Sequence, residues 1–292
     1  MPELPEVETV RAGLAPYVEG AHIHKVTLNR PNLRFAFPDD FVAQLEGQTI
    51  LKAARRAKYL LFPLSGGKTL LSHLGMTGSY RFIEFSYKDP SRYYEPPPGE
   101  KHDHVIFGLR HPSLGDMHLV YADARRFGFM ELFLREEDSP FLADLGPEPL
   151  SNAFNAAQLG ARLAGRKSPI KASLLDQRVV AGIGNIYASE ALHRAHIRPD
   201  CPSGALEPSR LEDLVFGVRQ VLVEAVEAGG STLRDFRNAE GGAGYFQHRF
   251  SVYDREGEPC PTPLCTGTIE RIVQSGRSSF FCPVCQKGPS QA

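Results

Sequence analysis

Residues 260–285 read CPTPLCTGTIERIVQSGRSSFFCPVC, and the end of the chain can be understood from this stretch alone. Cys260 and Cys265 form a Cys-x4-Cys pair, Cys282 and Cys285 form a Cys-x2-Cys pair, and 16 residues separate the two. Two close pairs are what a tetrahedral four-thiolate zinc site needs. From Cys260 onward only 33 residues remain, too few for a good apolar core, so a structural metal is expected to hold the tight turn Cys282-Pro283-Val284-Cys285. We therefore expect one structural zinc ion. Between the pairs, Thr268–Phe281 reads as two strands joined around Ser275-Gly276, a hairpin with Arg277 near its tip. A metal-braced hairpin tipped by a cation suits a nucleic-acid groove, whereas Arg277 taken alone reads as a solvated surface cation.

The rest of the chain sets the context. It has 292 residues, 42% hydrophobic and 23% charged, which supports a real core in two or three domains and excludes a disordered or fibrous protein. No stretch approaches the roughly 20 consecutive apolar residues of a membrane span. Glu3, Glu6 and Glu8 stand where a secretory signal would be positive, so a soluble, cytoplasmic protein is expected. Five cysteines, four of them in the last 33 residues, point in that compartment to a metal site rather than to disulfides. Cys201 reads as an ordinary thiol. The net charge of -1 selects no class of partner.

Val7, Val10, Leu14 and Val18 recur at helical spacing and predict an amphipathic helix at the start. From about residue 22 to 133, short apolar runs broken by Gly, Pro and Asp predict many strands without intervening helices, hence a sandwich or barrel. The polar, proline-rich segment 84–101 reads as an exposed loop. After the Pro/Gly connection at 139–150 the pattern turns helical. It ends in a stripe of Leu211, Leu214, Val215, Val218, Val221, Leu222 and Ala225, stopped by Gly229 and Gly230. The glycine-rich 238–245 reads as a mobile loop. The expected fold class is α+β and multidomain: 1–138 an N-terminal domain of helix plus β-sandwich, 139–238 a helical domain, and 239–292 a loop followed by the cysteine hairpin.

Two further motifs bear chemistry. In AGIGNIYASE (181–190), Gly182 and Gly184 precede Asn185 at an expected helix start, where backbone N–H groups attract an anion such as phosphate; a plain N-cap by Asn185 reads equally well. Arg166, Lys167 and Lys171 lie just upstream and tilt the choice toward a phosphate backbone. At the other end, removal of Met1 would expose the secondary amine of Pro2. An α-amine with a pKa of about 7.7–8.0 is partly neutral at pH 7 and can attack a carbonyl-like carbon, and the resulting iminium is cationic without a proton. Glu3 and Lys58 are then potential proton carriers beside it. Without more context these three read as a polar helix start and a basic strand residue.

MPELPEVETV, RRAKYLL, HLGMTGS, KHDH, DARRFG, LGPEPL, GIGNIYASE and the four-cysteine tail occur in the order found in formamidopyrimidine-DNA glycosylases, and the chain resembles that family over residues 2–287. The resemblance implies an N-terminal β-sandwich led by a catalytic helix, a helix-two-turn-helix domain and a C-terminal zinc finger. Damaged double-stranded DNA at the nucleoid would be the partner, lying between two lobes, and a monomer is the family expectation. The activity implied is base-excision repair, namely removal of oxidised purines (8-oxoguanine, formamidopyrimidines) followed by cleavage of the abasic site. By similarity Pro2 is the Schiff-base nucleophile at C1′, Glu3 the acid for sugar-ring opening, Lys58 the proton donor in β-elimination and Arg277 the donor in δ-elimination. His102, Arg125 and Arg166 would contact DNA and Asn185 a phosphate. Met76, Arg125 and Phe127 would fill the space left by an everted base.

The chain departs from the family pattern in its Cys-x4-Cys first pair, where Cys-x2-Cys is common, in Arg166 where lysine is frequent, and in a longer 84–101 segment. Two other readings stay open at this level. One is a related glycosylase for oxidised pyrimidines, against which Leu4 speaks. The other is a non-catalytic, zinc-dependent DNA-binding protein.

Overall fold

The computed structural model describes residues 1–84, 101–231 and 244–288. The predicted loops at 84–101 and 238–245 fall largely outside these residues. The chain forms two compact units, the first made of residues 1–143 and 229–244, the second of 144–228 and 245–292.

In the first unit, α1 (Leu4–Val18) carries the predicted stripe: Val7, Val10, Leu14 and Val18 are all buried. Pro5 sits in the first turn, where its missing N–H costs no intrahelical bond. The expected strands follow as β1 (His22–Leu28), β2 (Ala54–Arg56), β3 (Tyr59–Pro63), β4 (Thr69–His73), β5 (Gly78–Glu84), β6 (Asp103–His111), β7 (Gly115–Asp123) and β8 (Phe129–Phe133). They form two antiparallel sheets among the described residues, ordered β1-β6-β7-β5 and β2-β3-β4-β8. Alternation decides which side chains go inward. Leu60 and Phe62 of β3, Val105, Phe107 and Leu109 of β6, and Leu119 and Tyr121 of β7 share one core with the α1 stripe. One expectation needs correcting. A short helix, α2 (Phe41–Leu45), interrupts the strand region, burying Phe41 and Leu45 against this core. Five residues are too few to show a helical period in the sequence.

The second unit holds α3 (Ala156–Leu163), α4 (Ile170–Leu175), α5 (Asn185–Arg194), α6 (Pro208–Glu227), and the hairpin β9 (Glu270–Gln274) and β10 (Arg277–Phe281). The seven apolar residues predicted for α6 are buried, Pro208 occupies its first turn, and it ends at the predicted glycines. α5 is the spine of this unit. Its Glu190 is fully buried and accepts hydrogen bonds from the backbone N–H groups of Ser251, Val252 and Tyr253 at 2.8–3.0 Å, which ties the segment entering the cysteine tail to the helix. Burial pushes the Glu190 carboxyl pKa up, and those three donors with Arg194 hold it back. The hairpin turn falls at Ser275-Gly276, as expected, with Arg277 paired to Gln274 at its mouth.

Candidate functional site

Pro2, Glu3 and Lys58 lie in buried positions around the start of α1. Pro2 and Glu3 are buried, and the Glu3 backbone N–H donates to Glu6 Oε2 at 2.8 Å. The second oxygen of Glu6 accepts from the N–H (2.7 Å) and hydroxyl (3.0 Å) of Ser231, so a buried carboxylate 225 residues distant in sequence ties the helix start to the segment after α6. Lys58 is buried in the two-residue turn between β2 and β3, the register of which is set by Arg56 opposite Tyr59. Ala57 in that turn has a positive φ of 52°. The chain's amino group is affected by all of these. Burial lowers its pKa, Glu3 and Glu6 oppose that, and Lys58 and Arg125 reinforce it.

Met76, Arg125 and Phe127 come together through two loops that pack backbone to backbone. Gly75 lies against Phe127 and Gly128, and Gly128 lies against the Tyr121 hydroxyl and the His73 carbonyl; a Cβ at either position would overlap its neighbours. The fully buried Asp123 shapes the second loop. It accepts from the Thr77 hydroxyl, from the Arg125 N–H at 3.3 Å and from the Gly128 N–H at 2.8 Å. This presents Met76 (39% exposed) and Phe127 (43% exposed) to solvent, with the Arg125 guanidinium 4.8 Å from the Phe127 ring centre. Arg125, Phe127 and Arg34 line one cavity of about 470 Å³. His102 is exposed at the entrance to β6.

His73 was not singled out by sequence. Its Nδ1 accepts the Gly75 N–H at 3.2 Å, and burial, with Lys58 and Arg34, lowers its pKa from 6.5 to about 4 against the pull of Asp123. Between those values the unfolded chain takes up a proton that the folded chain refuses. The contribution of His73 should therefore lower stability by about 3 kcal/mol as pH drops from about 6.5 to about 4 and add nothing further below. Urea unfolding across this range should show a shallower fall for His73→Gln than for the parent; equal slopes would overturn the assignment.

In the second unit, Asn185 is the first residue of α5 and Gly184 its N-cap, so Asn185 is not the cap itself. Its Nδ2 donates to the Ser278 carbonyl at 3.0 Å and lies 3.4 Å from the Tyr253 hydroxyl. Lys171 is nearly fully buried, not spread on the surface, and its ammonium donates to the same carbonyl and to Ser279 Oγ, both at 2.8 Å. Two donors thus fix the residue that follows Arg277. Lys171, Asn185 and Arg277 line a cavity of about 300 Å³. Arg166 pairs at 3.2 Å with Asp176, which lines the same cavity and whose carboxyl Arg178 and Arg166 hold at about 2.

The sulfurs of Cys260, Cys265, Cys282 and Cys285 lie within 4.8 Å of one another, and none is in a disulfide. The Cys260–Cys285 and Cys265–Cys282 separations are 3.7 and 3.6 Å. A tetrahedron with Zn–S bonds of about 2.3 Å has edges of about 3.8 Å, so the four residues fit zinc despite the lengthened first spacer.

Three family models match the chain: the formamidopyrimidine-DNA glycosylase N-terminal domain over residues 1–130, the formamidopyrimidine-DNA glycosylase H2TH domain over 145–237, and the zinc finger found in FPG and IleRS over 257–288. Sandwich, H2TH domain and zinc finger in this order define a DNA glycosylase class. A formamidopyrimidine-DNA glycosylase of Caulobacter sp. (strain K31) is 53% identical over 290 residues, covering 98% of this chain and all of that one. The MutM (Fpg) protein of Thermus thermophilus is similar in structure with a TM-score of 0.82 at 42% identity, covering 98% of both chains. A Lactococcus lactis Fpg variant in complex with a Fapy-dG-containing DNA matches with a TM-score of 0.84 at 35% identity, covering 98% of this chain and all of that one. The chain belongs to the formamidopyrimidine-DNA glycosylase family.

Proposed function

We propose that the chain is a base-excision repair glycosylase that removes oxidised purines, 8-oxoguanine and formamidopyrimidines, from duplex DNA and then cleaves the abasic site by β,δ-elimination. The observation that carries this reading is the start of the chain, where Pro2 and Glu3 are buried and Glu3, Glu6, Lys58 and Arg125 all act on the terminal amine of Met1, whose pKa is lowered. Once Met1 is removed, the same surroundings act on the Pro2 amine and favour its neutral, nucleophilic form near pH 7.

The Glu3 carboxyl donates its proton to the sugar ring oxygen as the ring opens, the Pro2 nitrogen bonds to C1′ and loses its N–H proton to become the iminium, and the base leaves with the electron pair of the glycosidic bond and takes up that proton. The iminium then acidifies the C2′ proton. Its removal expels the 3′ phosphate, and a second elimination expels the 5′ phosphate. Lys58 serves as proton donor in the first elimination and Arg277 in the second. His102, Arg125, Arg166 and Asn185 contact the DNA backbone, and Lys171, Asn185 and Arg277 line one cavity together with Asp176. Met76, Arg125 and Phe127, clustered and exposed, occupy the stack vacated by the everted base. Zinc on Cys260, Cys265, Cys282 and Cys285 supplies a brace for the hairpin bearing Arg277. The work divides among residues 1–138 for catalysis, 139–238 for helical DNA contacts, and 239–292 for the loop and finger.

Borohydride trapping tests the proposal, using a duplex with one 8-oxoguanine opposite cytosine and protein whose first residue has been checked. We expect a covalent adduct at Pro2 and, without borohydride, strand cleavage. Absence of both adduct and base release would overturn it, leaving a DNA-binding protein or another lesion.

A further inference from the structure

Among the described residues, one side chain from outside the cysteine tail reaches two of the four sulfurs. His193, on α5 two turns beyond Asn185 and almost fully buried, places Nε2 3.6 Å from Cys260 Sγ and 3.9 Å from Cys285 Sγ. The hydroxyl of Thr262 lies 3.3 Å from that nitrogen, 3.4 Å from Cys260 Sγ and 3.8 Å from Cys285 Sγ. Thr262 belongs to the four-residue spacer that makes the first cysteine pair longer than the family pattern. On the other side of the cluster, Cys265 Sγ already accepts the backbone N–H of Gly267 at 3.4 Å.

The hydrogen-bonding state of the imidazole follows from what surrounds it. Nδ1 is buried and has no hydrogen-bond partner among the described residues. A neutral imidazole carries one N–H. A proton on Nδ1 would leave a buried donor unpaired and make Nε2 an acceptor, which would draw the Thr262 hydroxyl to itself and away from the zinc-bound thiolates. A proton on Nε2 gives those thiolates a donor and leaves only an acceptor unmet. Four thiolates around one divalent ion carry net charge of about -2, which N–H and O–H donors offset.

We propose that His193, as its Nε2–H tautomer, and Thr262 are outer-sphere donors to the thiolates of Cys260 and Cys285, so that retention of zinc is coupled to the helix that begins at Asn185. The proposal rests on the four cysteines being a zinc site. The longer spacer then has a use, because it brings a hydroxyl to the edge of the cluster that α5 faces.

The test uses the full-length, zinc-loaded protein, with the metal counted by mass spectrometry and its release to a chromogenic chelator followed in time. His193→Phe keeps a ring but no donor and should weaken zinc retention by about 10–100-fold. His193→Gln restores an N–H near the Nε2 position and should return most of the loss, and Thr262→Val should act in the same direction as His193→Phe by a smaller factor. Nitrogen-15 spectra of the parent protein should show His193 protonated at Nε2. One zinc per chain with His193→Phe releasing it at the parent rate, or an Nδ1–H signal, overturns the proposal. A parent protein without zinc overturns the metal reading beneath it. If His193→Phe does not melt cooperatively, Thr262→Val and the parent spectrum decide.

Discussion

Glu3→Gln protein freed of Met1 is expected to bind lesion-containing duplex within a few-fold of the parent yet to release the damaged base about 10³-fold more slowly. The substitution is nearly isosteric, and the Glu3 backbone N–H to Glu6 is kept, so the helix start should survive. Loss of the nucleophile would not explain the defect. The substitution leaves the Pro2 nitrogen in place, so slow base release would report the loss of the proton that Glu3 supplies. A preformed abasic site needs no base expelled. On that substrate the variant should still form a borohydride-trapped adduct and should lose far less activity than on 8-oxoguanine. Single-turnover base release read beside abasic-site trapping checks this, and robust base release by the variant would remove Glu3 from the acid role.

Cys282→Ser should lose its zinc and, with it, the geometry of the Arg277 hairpin. Cys282 is fully buried, and its backbone N–H is held by Gln286 Oε1 at 2.8 Å, so serine keeps the volume but removes a thiolate from a site of four. Structural zinc contributes about 10–16 kcal/mol in finger peptides, far more than the small cluster of Val252, Ile269 and Phe280 around the cysteines can replace. Zinc content should fall from one per chain to near zero. Duplex affinity should drop by about 100-fold at matched salt, as expected where several cationic and polar contacts to the backbone are lost together. Elimination should stop after the first cleavage if Arg277, beside the hairpin turn, has the role proposed for it in the second. Pro2, the proposed nucleophile, belongs to the other compact unit, so abasic-site trapping at saturating protein should persist. Unchanged affinity in a zinc-free variant would deny the finger its DNA role.

The parts that could be read in advance are those encoded over short distances. The α1 and α6 stripes, the Ser275-Gly276 turn and the two cysteine pairs each occupy a single local pattern, and each took the predicted form. What could not be read is long-range. Glu6 looks like one more acid in ELPEVE until Ser231 closes on it. Lys171 looks like a surface cation until the hairpin carbonyl of Ser278 comes within 2.8 Å. Asp123 and His73 show their roles only when the 74–77 and 124–128 loops meet. A trace of Glu6 was available, since an acid three residues after Glu3 fits a helix start. His193 had none: it is the last residue but one of an ordinary helical run, 67 positions before Cys260.

By itself, then, the sequence determined the class of each segment and the residue types able to do the chemistry: an amine-bearing first helix, an antiparallel β region, a helical domain and a four-thiolate hairpin. These follow from spacing, because periods of two and 3.6 and close cysteine pairs are properties of neighbouring residues. Tertiary structure alone decided which polar groups are spent on holding the site and which face outward. It made Lys171 and Glu190 internal struts, left Met76 and Phe127 exposed on apposed loops, and brought His193 to the thiolates. The physical reason is that burying a charge or an N–H is tolerable only where a partner waits, and the partner is set by how distant segments close on one another.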